Sequence, residues 1–126
     1  MARQDHETPK QYVGRVAEEV VANYLRRVGC EVLATNLHVG RAELDIVARE
    51  GPVVLIVEVR TRGPRSWTTG FESISPAKRL RVRRAGERLW RTRFRSDPTI
   101  ERMRFDAASV TFGAGRPLVE YARAAF

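Results

Sequence analysis

An α/β fold, with a mixed β-sheet flanked by two helices, is predicted by three features of this sequence. Two segments repeat their apolar residues at helical spacing. Five others read as strands, and two of these form a tight pair rich in β-branched residues. The order helix, three strands, helix, two strands gives one sheet a helix for each face. At 126 residues, 43% hydrophobic and 30% charged, the chain suits one domain with one core. Residues 1–9 read as a disordered tail and 10–126 as the single domain.

The first helix is expected to open at Thr8-Pro9, since proline at the first helical position gives up an N–H that has no partner there anyway. It runs from Gln11 to Val28 on a stripe of Val13, Val16, Ala17, Val20, Tyr24 and Val28, and Gly29 stops it. Glu31–Leu37 reads weakly as a strand. Arg41–Arg49 alternates better, with Leu44, Ile46 and Ala48 on one face and Glu43, Asp45 and Val47 on the other. After a turn at Glu50-Gly51-Pro52, Val53–Val59 is apolar on both faces, as in a central strand covered on both sides. The short turn makes these two an antiparallel hairpin. Residues 61–75, rich in Thr, Arg, Gly, Ser and aromatics, read as a long mobile loop. Ser75-Pro76 opens a second helix to about Arg93, with Val82, Ala85 and Leu89 as its core stripe and Trp90 beside it. Asp97-Pro98 marks a connector, and Arg102–Phe112 and Leu118–Ala122 are the last two strands.

Lys plus Arg is 23 against 15 Asp plus Glu, a net charge of +8, and the pI is near 10.9. Only Lys10 and Lys78 are lysines; the remaining 21 basic residues are arginines. This balance favours a polyanionic partner, because neutralising phosphates releases counterions. A GC-rich genome would also enrich arginine. No apolar stretch is long enough to span a membrane, and the first ten residues lack the apolar core of a secretory signal. The lone Cys30 excludes a disulfide framework and a cysteine-based zinc site, and His6 and His38 are too few for a metal centre of their own. The expectation is a basic, reduced, cytoplasmic protein.

The acidic residues are the informative ones. Glu43, Asp45 and Glu58 interrupt the two most β-prone segments, where a carboxylate is costly unless it is paired or binds a cation. A turn at 50–52 sets residue 45 opposite roughly 56–58. On a shared face, Asp45 and Glu58 would then lie about 5–8 Å apart. Mg²⁺ suits such a pair, since it takes one or two carboxylates together with waters and phosphate oxygens. Arg60, two residues after Glu58, would point at the same spot. These are the parts needed to hydrolyse a phosphodiester. Ordinary ion pairing with some of the many arginines accounts for the carboxylates equally well.

Gly14-Arg-Val-Ala-Glu18, Tyr24-Leu25, Gly29, Asn36, Ala-Glu43-Leu-Asp45-Ile-Val, Val57-Glu58-Val-Arg60-Thr-Arg62, Pro76-Ala-Lys78 and Arg104-Phe-Asp106 come in one order along nearly the whole chain. In this the sequence resembles the YraN family of bacterial proteins, placed in the PD-(D/E)XK nuclease superfamily. The resemblance implies a restriction-endonuclease-like fold and Mg²⁺- or Mn²⁺-dependent cleavage. Asp45 and Glu58 would be metal ligands, with Glu43 and the helix carboxylate Glu18 beside them. Arg60 stands where the superfamily has its catalytic lysine, and Ala42 where the family usually has glycine. A guanidinium stays protonated and can only stabilise charge. Lys78, on the stripe of Val82, Ala85 and Leu89, is a candidate substitute, or else a cap whose ammonium reaches solvent. Structural pairing of Glu18 is as consistent with its position as a site role.

Between Lys78 and Arg95 nine residues are basic and only Glu87 is acidic. Arg81, Arg84, Arg88 and Arg91 fall in one stripe, either a solvated face or a surface that tracks phosphates, and packing on the sheet could turn that stripe away from the acidic face. Arg62 and Arg65, with Trp67 and Phe71 between further arginines, follow directly after the acidic strand and could hold phosphates and stack on unpaired bases. Packing over the core edge is the alternative for Trp67. The reading is therefore a metal-dependent endonuclease acting on structured or single-stranded nucleic acid, DNA favoured over RNA, in repair or recombination. Its rivals are a catalytically inactive nucleic-acid-binding module and a protein–protein adaptor of the same fold. A two-fold junction as substrate would call for a homodimer.

Overall fold

A computed structural model describes residues 7–62 and 74–126. The element order is α1 (Pro9–Arg27), β1 (Glu31–Val39), β2 (Ala42–Glu50), β3 (Val53–Arg62), α2 (Pro76–Leu89), a π-helical turn (Trp90–Phe94), β4 (Arg102–Thr111) and β5 (Leu118–Ala122). The five strands form one sheet in the order β1-β2-β3-β4-β5. Every neighbouring pair is antiparallel except β3–β4, which is parallel and needs the crossover that α2 supplies. This is an α/β fold, consistent with a restriction-endonuclease-like arrangement. No helix among the described residues is long and apolar enough to cross a membrane.

α1 begins where proline and a capping residue predict. The Thr8 side chain accepts from the Gln11 N–H and the Gln11 side chain accepts from the Thr8 N–H, which satisfies two free donors of the first turn. The helix thus starts at Pro9, inside the expected tail of 1–9; residues 1–6 of that tail lie outside the described residues. Its buried face is Ala17, Val21, Ala22 and Leu25, whereas Val13 and Val28 are exposed. The expected stripe was about a quarter-turn off. Val20 and Tyr24, on the expected stripe, are only partly buried against the same core.

The two faces of the sheet carry separate cores. α1 covers Ile46, Ala48, Leu55, Val57, Ala108 and Val110. α2 and its π turn cover Leu44, Val47, Val54, Ile56 and Phe105 through Val82, Ala85, Leu89 and Phe94. β3 is accordingly buried on both faces from Val53 to Glu58. The second helix does not run uniformly to Arg93. Its last turn is π-helical from Trp90, where the Thr92 hydroxyl donates back to the Arg88 carbonyl.

One strand departs from the expected alternation. Leu44 was expected on the face of Ile46 and Ala48, yet it packs with Val47 on the α2 side. The same slip occurs on β1, where Ala34 and Leu37 both turn toward α2. Between them lies Asn36, in the left-handed region at φ +50°. Thr35 pairs with Ile46 and Leu37 with Leu44, so Asn36 stands opposite Asp45. Asparagine is among the few residues that tolerate this conformation. The pleat loses phase at the Asn36–Asp45 step, and the hairpin tip beyond it turns its apolar face onto α2.

Candidate active site

Ile46 pairs with Val57, and Asp45 and Glu58 follow next on the two strands. Here the ladder changes character, because the Val59 N–H donates to Asp45 Oδ2 at 2.9 Å. Asp45 is thereby fixed at the edge of a cavity of about 580 Å³ between the first half of α1, the end of β3 and the start of α2. Lys10, Gly14 and Glu18 line it from α1, Asp45 from β2, Val59, Arg60 and Thr61 from β3, and Lys78 from α2. A Cβ built on Gly14 would meet nothing within 4 Å, so this glycine leaves open space in the wall.

Glu58 lies behind this wall, next to Asp45 and Lys78. It is wholly buried, and neither carboxylate oxygen has a hydrogen-bond donor. Lys78 Nζ is 3.7 Å from Oε2, an ion pair too long to be a good hydrogen bond. Burial, and then the Asp45 carboxylate, push the Glu58 carboxyl up to about 8, against the pull of Lys78 and Arg60. Burial also raises Glu18, assisted by Asp45 and Glu43 and opposed by a hydrogen bond from Asn36 and by Lys78. Arg60 is half-buried, and its Nε has no acceptor. Ser109, opposite Arg60 on β4, also has an unpartnered buried hydroxyl.

The structure therefore brings Asp45, Glu58, Arg60, Lys78 and Glu18 to one place. Glu43 is exposed, is not in the cavity wall and acts on it through its field on Glu18. Arg62 ends β3. Arg65, Trp67 and Phe71 lie outside the described residues. Arg81, Arg84 and Arg88 are exposed and line a different cavity with Arg41, as the packing of α2 on the sheet requires. Sequence reasoning gave Asn36 no role beyond the family resemblance, and missed the Val59 amide and Ser109. An asparagine inside a strand-like run was a usable signal for the first; the other two carried none.

Among the described residues, no three or more His, Cys, Asp or Glu side chains are gathered closely enough to enclose a metal ion. The donors present are the pair Asp45 and Glu58. Two carboxylates, with water and phosphate oxygens completing the shell, are the usual protein share of a Mg²⁺ site. The orphaned oxygens of Glu58 fit a cation at this point.

Fold and site together describe an α/β domain consistent with a restriction-endonuclease-like arrangement, with an acidic pair just past the last paired residues of β2 and β3. Residues 17–110 match the uncharacterised protein family UPF0102. The chain belongs to that family, the YraN family. It is 52% identical over 118 residues to a UPF0102 protein of Sorangium cellulosum, covering 93% of this chain and 82% of that one. A relative in Anaeromyxobacter dehalogenans is 36% identical over 117 residues, covering 93% and 85%. One in Desulfitobacterium hafniense is 43% identical over 75 residues, covering 58% and 60%.

Proposed function

We propose that this protein is a Mg²⁺- or Mn²⁺-dependent phosphodiesterase acting in the cytoplasm on nucleic acid, DNA rather than RNA, in single-stranded or branched form. The observation that carries the reading is Glu58: a fully buried carboxylate, unsatisfied at both oxygens, beside a second carboxylate and two cations. A carboxylate is not left so without a compensating ligand at no cost. Asp45 and Glu58 would hold the metal, with Glu18 and Glu43 adding to the negative field. When bound, that ion would polarise the phosphoryl oxygen and lower the pKa of water. Lys78 and Arg60, which line the same cavity, would offset the charge that builds on the phosphate in the transition state. Asp45 is oriented by the Val59 amide, and Lys78 by the first turn of α2, where Ser75 accepts from the Lys78 N–H at 3.2 Å.

Labelled single-stranded, duplex, forked and four-way-junction DNA, incubated with Mg²⁺, Mn²⁺ or EDTA, tests the reading. Metal-dependent cutting that is lost in Asp45→Ala supports it. Binding indifferent to EDTA and to Asp45→Ala, with no cutting in any buffer, sinks it. That second outcome belongs to a non-catalytic nucleic-acid-binding module, which Arg60 favours because guanidinium cannot act as a base. A preference for two-fold junctions in the same assay would argue for a homodimer.

A further inference from the structure

A second cavity, of about 280 Å³, lies between α2 and the tip of the β1–β2 hairpin. Arg41 lines it from the hairpin and Arg81, Arg84 and Arg88 from the helix; its other lining residues are Val39, Gly40, Ala42 and Ala85, with no carboxylate among them. The approach is close: a Cβ on Gly40 would stand 3.1 Å from Arg88 Nη1. Gly40 also sits at φ +61°, so the tip needs glycine for its turn and for its contact with Arg88. No ion pair among the described residues involves these four arginines, as is true of most exposed arginines of this chain; what sets them apart is that they line one groove together. Four exposed guanidiniums along one open groove make its potential positive, and an anion among them accepts charge-assisted hydrogen bonds.

We propose that Arg41, Arg81, Arg84 and Arg88 form a phosphate-binding cradle for the backbone of the nucleic-acid strand, a few nucleotides from the phosphate that lies over Asp45 and Glu58. The inference rests on the nucleic-acid reading above and adds to it where the strand runs. Two elements lead from the cradle to the acidic pair. On α2, Lys78 is six residues before Arg84, about 9 Å of helix axis. On β2, Asp45 is four residues after Arg41, about 13 Å of strand. The cradle thus stands roughly 10 Å from the acidic pair, about the axial rise of three B-form base pairs at 3.4 Å each. The arginine stripe is turned away from the acid pocket, and the proposal needs it there: it holds the strand to one side of the reacting phosphate.

The test is fluorescence anisotropy of labelled 20-nucleotide single-stranded and duplex DNA, in EDTA, as a function of salt. The full chain is compared with the triple variant Arg41→Ala, Arg84→Ala, Arg88→Ala. A charge-matched control, Arg27→Ala, Arg95→Ala, Arg116→Ala, removes three exposed arginines outside this cavity. The cradle variant should bind at least 10-fold more weakly at about 100 mM salt, with a salt slope shallower by about 2–3. The control should change less than 3-fold. Replacing the same three cradle arginines by lysine should retain most of the slope, because the charges remain, and lose part of the affinity, because the forked hydrogen bonds do not. Free inorganic phosphate at millimolar concentration should compete only weakly, since it meets one contact where a strand meets several. If both alanine variants bind alike, the cradle is wrong and the nucleic-acid reading stands. If phosphate displaces the DNA completely at that concentration, the cradle is a free-anion site and the proposal fails. If the unaltered protein binds no DNA at low salt, both fail.

Discussion

Lys78 Nζ and Glu58 Oε2 stand 3.7 Å apart, an ion pair between the first turn of one helix and the central strand of the sheet. The ammonium is partly exposed and the carboxylate wholly buried. Lys78 is therefore the one lysine that reaches the acidic pair directly, at a site whose strand position carries Arg60. Lys78→Met keeps the stem and removes the charge. Nuclease activity under the proposed reading should fall by about 100-fold, the usual cost of losing one oriented charge in a preorganised site. Lys78→Arg should recover part of it. Cutting rates on the preferred DNA, compared with DNA affinity in EDTA, separate a loss of chemistry from a loss of binding. An unchanged rate in Lys78→Met would reduce the ion pair to a structural contact.

Glu58 also makes stability depend on pH, with a definite sign. Its carboxyl ordinarily titrates near 4.5 and in the fold near 8, so between those values the folded protein holds a proton that the unfolded chain has released. The contribution of Glu58 to stability therefore falls as pH rises from about 4.5 to about 8, and levels off above. Burial raises Glu18 in the same direction. Glu58→Gln cannot ionise and should lose much of this slope, becoming more stable than the parent at pH 8–9 by on the order of 3 kcal/mol. Urea unfolding at one-unit pH intervals without divalent metal checks this. Parallel curves for parent and variant would refute it.

The elements and the acidic pair were legible in the sequence because they rest on local patterns. Val53–Val57 is β-branched on both faces, Glu50-Gly51-Pro52 turns, and those two facts already set Asp45 near Glu58. Other features depended on contacts between distant segments. The phase slip at Asn36 put Leu44 on the other face, and nothing within β2 itself announces it. The buried stripe of α1 was misplaced because valines at several offsets made neighbouring faces nearly equal in hydrophobicity. The partner of the α2 arginines, Arg41, comes from a hairpin tip some forty residues earlier.

Two glycines in helices have opposite expected responses to alanine. At Gly86 a Cβ would lie 2.7 Å from Cε1 and Cζ of Phe105 and 3.5 Å from Ile56. Phe105 is buried and has the Arg83 guanidinium 5.1 Å from its ring centroid, so the ring has little room to retreat. The gain of about 1 kcal/mol in helix propensity is outweighed by an overpacking cost of about 1–3 kcal/mol, and Gly86→Ala should be destabilising. Phe105→Leu should relieve part of that clash. At Gly14 a Cβ meets nothing, so Gly14→Ala should stabilise by about 0.5–1 kcal/mol. Gly14→Phe would put an aromatic ring into the wall of the acidic cavity and should block cutting. Thermal melts give the signs; stabilisation by Gly86→Ala would overturn the packing argument.

The end of the chain is held by a buried carboxylate on the far side of the sheet from its edge strand β1. Asp106 is wholly buried and accepts from Arg104 Nε at 2.8 Å and Nη2 at 2.9 Å, the Tyr121 hydroxyl at 2.6 Å and the Ala124 N–H at 2.9 Å. Every lone-pair direction of the carboxylate is used, which is the condition under which a buried charge is tolerable. The Tyr121 hydroxyl is raised well above its ordinary value by burial and by that bond. Through β5 the clamp reaches the α1 core, where Tyr121 packs on Tyr24 with ring centroids 5.7 Å apart. Asp106→Ala leaves Arg104 partly buried without its partner and should cost about 3–5 kcal/mol. Tyr121→Phe removes one hydrogen bond to a charged group and should cost about 1.5–3 kcal/mol. Urea unfolding measures both. If Asp106→Ala lost no more than Tyr121→Phe, the Arg104 pair would contribute nothing, and the clamp would reduce to its tyrosine.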